Sequence, residues 1–421
     1  MSSSPSTEAP DAVAFVCARA TSACETLPFF NKHEGKQYCV LHYPDKDKVA
    51  VFNKALERKL ENKDFDFNGV WFPDDVDFSG LEFNKSANFN FTTFKAKTHF
   101  ISATFSATAV FFAATFEAEV SFGSATFNAD VYFDSATFNA NVYFDSAIFG
   151  AKVYFDSARF INAEADFGSA TFKDYLRFTG TEWNQVFDDK SSLMFQFARI
   201  EQSDPLLFHT LMLRPHWFVN VDARKFEFIN VTWNWRGARR QIKSLGTKQD
   251  LSALRLLAMA YRNLAVNTEE NHHYEEASRF RYMVMEARRL EGWQGWRNSA
   301  SWMLNWWYWL ASGYGERIWR AFVVLLGIWL LAAALYTQVG FARWETKVTN
   351  EKEAAEVRRD EVGEPLRWPH ALLYSAGVMT LQKPDPRPAT NAAQAFVMLE
   401  TILGPVQAAL LALAIRRKFM R

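Results

Sequence analysis

Cysteine is almost missing from this chain: 421 residues contain three, Cys17, Cys24 and Cys39, all before position 40. An odd and clustered set is a poor disulfide framework, so covalent cross-links are not what holds the fold together. Net charge is missing too, since Lys plus Arg and Asp plus Glu both number 47, and the whole chain has no electrostatic reason to seek a polyanion. The opening stretch MSSSPSTEAPDAVAF lacks a cationic start followed by an apolar run. It therefore does not read as a secretory signal, and the N-terminal part is expected in the cytosol. Also missing are a nucleophile–base pair, a phosphate-cradling glycine loop and a catalytic metal signature, so the chain is expected not to be an enzyme.

Phenylalanine is what the chain has in excess, with 40 residues. From Phe67 to Phe155 the positions 67, 78, 89, 100, 111, 122, 133, 144 and 155 are all Phe, 11 apart, and a second register runs from Phe72 to Phe160 at the same period. One inserted residue shifts the next pair to Phe167 and Phe172, and Phe178 and Trp183 follow in step. The unit is plain at VYFDSATFNAN, residues 131 to 141: a bulky ring at each centre, a small Ala or Val two residues before it, and Asp, Asn or Ser around it. Centres at alternating steps of five and six fit neither the 3.6 period of a helix nor the period of 2 of a strand. A coil that turns a corner at every step would stack each ring on its equivalent one coil later.

This pattern resembles the pentapeptide-repeat family in a phenylalanine-rich form with an 11-residue double step. The resemblance implies a right-handed quadrilateral β-helix, a β-solenoid with four centres and 22 residues per coil. Residues 67 to 183 would then supply about five coils, roughly 25 Å of rod at the inter-strand spacing of a sheet. A less regular stretch from Phe218 to Trp233 reads as a final coil or cap. Between Asp64 and Glu182 there are 16 acidic and 7 basic residues, so the solenoid is acidic and its flanks are basic. Outward residues such as Asp130, Asp134, Asp145 and Asp156 read first as a solvated face. Their sharper reading is a surface for a basic protein partner. Some members of the family mimic DNA to bind topoisomerase, which the acidity would suit, although nucleic acid itself is not an expected partner.

Cys17, Cys24, Cys39 and His42 form C-x6-C-x14-C-x2-H. Three thiols and an imidazole would complete a closed tetrahedral zinc site of structural type. Such a staple is what a module of this size needs, because it cannot bury enough apolar surface alone. His33 is the rival fourth ligand. VFNKALERKL from Val51 then reads as an amphipathic helix capping the first coil.

Leu251, Leu254, Leu257, Tyr261 and Leu264, then Tyr274, Ala277, Phe280, Val284 and Ala287, recur with helical spacing. The polar break from Asn267 to His273 makes this a helical hairpin, similar to one tetratricopeptide unit. Seven of the fifteen tryptophans follow between Trp293 and Trp319, the composition of a segment lying at a bilayer surface. Two apolar stretches are then long enough to span a bilayer, about 318–341 and 392–415, while 369–381 between them is too short. Arg317 and Arg320 flank the first, and Arg416, Arg417, Lys418 and Arg421 follow the second, so both ends are expected to face the cytosol.

A span, a short re-entrant helix, a loop and a span are the parts of a two-helix cation-channel subunit. The last hundred residues, with SGYGERIWRA and ETILGPVQAALLALAIRR, resemble the ion-channel-like domain that follows pentapeptide repeats in some bacterial proteins. That resemblance places a filter-like segment at Thr380, Leu381, Gln382, Lys383, Pro384 and Asp385. It departs from the T-V-G-Y-G pattern, because Gln382 and Pro384 stand for the glycines and Lys383 for the aromatic. Within the second span Glu400 and Gln407 are polar, Gly404 and Pro405 mark a hinge, and Gly404, Ala408 and Ala412 form a small-residue stripe. Glu400 is read either as satisfied at a subunit interface or as a pore group.

The resulting organisation has a Cys/His cluster and capping helix in 1–62 and the solenoid with its cap in 63–235. A helical hairpin in 244–292, a Trp-rich interfacial segment in 293–317 and a two-span membrane domain in 318–421 follow. The expected function is a homo-oligomeric, channel-like protein of the bacterial inner membrane, in contact with lipid, with the solenoid as a cytosolic sensor or docking arm. The alternative is a non-conducting, membrane-anchored scaffold, and the third reading is the DNA mimic.

Overall fold

The computed structural model describes residues 15–19, 21–24, 27–181, 186–201, 205–248, 250–294, 300–342, 344–350, 353–358 and 364–419. The chain forms two compact units. Met1–Leu245 with Met259–Asn271 make the first, and Gly246–Ala258 with His272–Arg421 make the second.

The first unit is a parallel β-solenoid of about seven turns. Its strands are mostly two residues long and fall into four parallel ladders of seven, five, six and six strands. In the regular coils Thr115 pairs with Thr137 and Phe116 with Phe138, so equivalent residues lie 22 apart, as the double step requires. Each two-residue strand turns one side chain inward, as in Phe138, and one outward, as in Thr137. A corner follows, and Ser102, Ser124, Ser135, Ser146 and Ser157 there take φ of 56° to 58°. Short polar residues meet such left-handed corners at lower cost than branched ones.

Inside, the rings form columns. Phe89, Phe111, Phe133 and Phe155 stack at 4.8, 4.9 and 4.9 Å. That distance is the inter-strand spacing itself, so ladder hydrogen bonding and ring stacking share one repeat. Neighbouring columns meet edge to face, as Phe111 and Phe122 do at 5.6 Å. Ala114, Ala125, Ala136 and Ala147 are fully buried where the interior leaves no room for more.

The solenoid runs further than the five coils expected from residues 67 to 183. Beyond Phe160 the pairing step changes: Val142 pairs with Ala165, Glu164 with Ser192 and Leu206 with Phe226. Leu193, Leu206, Leu213 and Trp217 fill inward positions there, so the core continues although the phenylalanine phase is lost. Trp183 lies outside the described residues.

The outward aspartates also depart from a purely solvated face. Asp130 and Asp134 are half-buried and accept the backbone N–H of Lys152 and Asp156 one coil on, at 3.1 and 2.9 Å. Burial raises the carboxyl pKa of Asp134, against the Asp156 amide that lowers it. Asp145 is exposed, as expected.

Both ends of the solenoid are covered. Helix α1 (Val49–Glu61) sets Phe52 edge-on against Phe72 at 5.3 Å. Helices α2 (Trp235–Lys248) and α3 (Leu251–Glu270) follow the last coil. Asn267, expected in a polar break, is instead buried inside α3, where its amide donates to the carbonyls of Ala223 and Phe226 at 3.0 and 2.7 Å. The break narrows to a turn in which His272 takes φ 64° and both His272 and His273 are exposed.

The second unit is helical: α4 (Tyr274–Gln294), α5 (Ala300–Ser312), α6 (Ile318–Tyr336), α7 (Trp368–Met379) and α8 (Asn391–Phe419). Helices α6 and α8 are each long and apolar enough to cross a bilayer. Helix α7, about 18 Å long at 1.5 Å per residue, is not. It packs with α6 and α8 around Ala333, Tyr336, Phe341, Ala371, Tyr374, Val378 and Ala393. Short strands at Gly340–Ala342, Glu364–Pro365 and Arg387–Pro388 join the helix ends, and Trp344–Asn350 pairs with Glu353–Arg358 as a hairpin. Of the tryptophans expected at a bilayer surface, Trp307 and Trp319 are exposed, and Trp296 lies outside the described residues.

Candidate metal centre and the buried polar cluster

Strands β1 (Phe29–His33) and β2 (Lys36–Cys39) form a hairpin whose turn, Glu34–Gly35, has φ of 48° and 76°. Positive φ at both central residues suits the right-handed twist of the two strands. The hairpin ends on Cys39, and the amides of His42 and Tyr43 fold back on the Cys39 carbonyl at 3.2 and 3.0 Å. Cys24 closes a short 3-10 helix, Ser22–Cys24. Cys17, Cys24, Cys39 and His42 are all buried, and their ligand atoms lie within 4.8 Å of one another, so the cluster could hold a metal ion.

The spacing has the scale of a coordination shell. Cys17 Sγ lies 3.9 Å from Cys39 Sγ, and His42 Nδ1 lies 3.6 and 3.2 Å from those two sulfurs. A tetrahedron with zinc–sulfur bonds of about 2.3 Å and a zinc–nitrogen bond of about 2.0 Å has edges of about 3.8 Å between sulfurs and about 3.5 Å from sulfur to nitrogen. The other imidazole nitrogen fixes the ring: Nε2 donates to the Asn68 carbonyl at 2.9 Å, which leaves the Nδ1 lone pair facing the thiols. Gly69, at φ 70°, passes beside that ring and leaves space for it. His33 takes no part and packs instead against Tyr38 and Tyr43.

Burial favours the uncharged forms of Cys24, Cys39 and His42 when no metal is bound. It pushes the Cys39 thiol up to about 12, raises Cys24, and brings the His42 imidazole down to about 4. Binding an ion must therefore displace thiol protons. Beside the ligand loop lies a residue that sequence reasoning missed. Lys48 is fully buried, donates to the Leu41 carbonyl at 2.8 Å and lies over the rings of Phe52 and Trp71. Burial brings its ammonium down to about 6. Its place in the charged run DKDK gave no signal of burial.

In the helical unit Glu400, Gly404 and Gln407 share the buried face of α8, whereas Ala408 and Ala412 of the small-residue stripe are exposed. The hydroxyls of Tyr336 and Ser375 both donate to the Glu400 carboxylate, so this side chain is satisfied within its own chain by α6 and α7. Gln407 Nε2 donates to the Ala311 and Ala321 carbonyls at 2.7 and 2.8 Å. At Gly404 a Cβ would come 2.9 Å from Met379 Cγ, so α7 approaches α8 at glycine distance. α8 runs unbroken through Pro405.

The segment matched to a selectivity filter closes a helix. Thr380 caps α7 with its hydroxyl on the Ala376 and Gly377 carbonyls, Leu381 takes φ 61°, and the Gln382 amide returns to the Gly377 carbonyl at 2.9 Å. These are the bonds of a helix C-terminus. Lys383 and Asp385 are exposed, and Pro384 packs against Gly377. No family model, curated protein or solved structure matches the chain, so the architecture and the two sites rest on its own residues.

Proposed function

We propose that this chain is an integral membrane protein that carries a β-solenoid as a docking arm. The observation behind this reading is the polarity of the helical unit. Its buried positions hold Glu400, Gln407, Ser312 and Ser375, while Trp319, Val323, Leu331, Met398, Ile402 and Val406 are exposed. Core helices of a soluble protein do not leave so much apolar surface uncovered, and surface of this extent needs lipid or a second copy to cover it. Arg317 and Arg320 lie at the N-terminal end of α6, and Arg416 and Arg417 near the C-terminal end of α8, which supports cytosolic termini in a bacterial inner membrane.

The four ladders and the 22-residue step suit the right-handed quadrilateral β-helix of the pentapeptide-repeat family. The docking surface is the side on which Tyr132 and Tyr154 stack at 4.9 Å and Phe91 and Phe112 stand exposed. Arg177 already lies over Tyr154 and pairs with Asp156, so a partner carrying guanidinium groups suits this acidic, aromatic side. Zinc at Cys17, Cys24, Cys39 and His42 would staple the N-terminal module to the first coil, where Asn68 holds the imidazole. Elemental analysis should find one zinc per chain. The absence of stoichiometric metal, with freely alkylated thiols, removes it.

Conduction through a homo-oligomer is the second reading, favoured by a short helix set between two membrane-length ones. The capped end of α7 and the Glu400 carboxylate bonded within its own chain weigh toward the non-conducting arm. Native mass spectrometry in detergent with planar-bilayer recording separates the two. A silent bilayer across voltage, tension and pH, with a monomeric or dimeric mass, agrees with the docking arm. Currents from a larger oligomer, shifted toward cation selectivity by Lys383→Glu, would establish conduction.

A further inference from the structure

We propose that Lys48 is the counter-ion of the metal centre and ties its occupancy to the capping of the first coil. The inference rests on the reading that Cys17, Cys24, Cys39 and His42 hold zinc. Three thiolates, a neutral imidazole and a divalent ion leave one negative charge in a buried site. Such a charge is costly unless an opposite one lies beside it.

Lys48 is placed for that task. Its side chain is fully buried, and its Nζ is bonded to the carbonyl of Leu41, which stands between the ligands Cys39 and His42. Among the described residues no carboxylate pairs with it, so its ammonium form needs a negative charge beside it. The same ammonium lies 4.5 Å from the ring centre of Phe52 on α1 and 5.4 Å from that of Trp71 in the first coil. It therefore touches the ligand loop, the capping helix and the solenoid together.

The test is zinc affinity of the full-length protein in detergent, measured by chelator competition, with cobalt(II) absorption reporting a tetrahedral three-sulfur, one-nitrogen site. Lys48→Met should weaken zinc binding about tenfold or more, the scale of a lost outer-shell partner, while leaving the cobalt spectrum tetrahedral. In a Cys24→His background the metallated centre is neutral, and the same Lys48→Met change should then cost little affinity. Chelation of the wild type should increase hydrogen exchange in residues 49–61, and much less so in Lys48→Met. Equal affinity of wild type and Lys48→Met, or an equal loss in both backgrounds, would reduce Lys48 to a packing residue and overturn the proposal. If Lys48→Met does not fold, Lys48→Arg and Lys48→Gln carry the comparison: Arg should hold zinc more tightly than Gln, and equal binding overturns the idea. A wild type that binds no zinc sinks the ligand assignment itself, a result distinct from binding without dependence on Lys48.

Discussion

Replacing one ring in the middle of a column tests the inward register most directly. Phe133 is fully buried, stacks on Phe111 and Phe155 at 4.9 Å each, and meets Phe122 and Phe144 edge-on at 5.6 and 5.5 Å. Phe→Ala in a core costs roughly 3 to 5 kcal/mol, and each favourable ring pair adds about 0.5 to 1.5 kcal/mol beyond its area. Four partners place Phe133→Ala near the top of that range, about 5 kcal/mol. Asp134→Ala should cost about 1 kcal/mol, because its carboxylate accepts the Asp156 amide. Exposed Asp145→Ala should stay within about 0.5 kcal/mol of wild type. Hydrogen exchange read by mass spectrometry on the full-length protein gives local opening energies for the flanking strands. Equal losses in Phe133→Ala and Asp145→Ala would mean that the rings do not form the core.

Three further perturbations address other parts of the molecule. A cysteine introduced near Glu356 should react with an impermeant reagent from outside the cell, and one near Met420, which lies outside the described residues, should not; the reverse pattern inverts the membrane topology. His216 is held down to about 4 by burial, with Arg214 adding to the effect, against 6.5 when unfolded. The unfolded chain therefore takes up a proton that the folded one refuses, and stability present above pH 6.5 falls by about 3 kcal/mol as pH drops toward 4. A His216→Leu variant whose urea midpoint falls just as steeply in that window would contradict this. Gly404→Leu should lower thermal stability in detergent by about 1 to 3 kcal/mol, because Met379 occupies the space, and exposed Ala408→Leu should not.

The solenoid was legible because a ring that must point inward at every corner leaves a phase that no other fold explains. Legibility ended where Leu193, Leu206 and Leu213 took over the inward positions and the pairing step began to vary. Leucine is common in any core, and loops of unequal length erase a period. The aspartates were misread in part for a related reason. A carboxylate that accepts a backbone N–H from the next coil looks, in sequence, the same as one facing water.

The candidate metal cluster was legible from chemistry, since three thiols spaced with an imidazole suggest a metal site. The partners of those ligands were not. Asn68, which fixes His42, is 26 residues away, and Tyr336, which donates to Glu400, is 64 away. Neither carries a local pattern, because each is selected by where the backbone passes rather than by periodicity. Sequence reasoning can therefore nominate the atoms that hold a site more readily than the atoms that orient it.

On the membrane reading proposed above the two units answer to different solvents, and this bears on how the same residue types should be weighed. In the solenoid the ladders satisfy the backbone, aromatic rings fill the interior, and charged groups such as Lys97 and Glu119 pair on the outside at 2.9 Å. In the helical unit the buried core of small and aromatic groups also holds a carboxylate and an amide, and the outside carries indole and aliphatic groups. An exposed Phe on the solenoid, as at Phe91, stands out against water and suits the partner surface proposed above; it also holds a left-handed φ of 54° that a bulky side chain seldom takes. On the membrane reading an exposed Leu on α6 needs only lipid. The proposed docking surface should accordingly be sought on the solenoid, where exposed aromatic groups have no proposed bilayer to cover them.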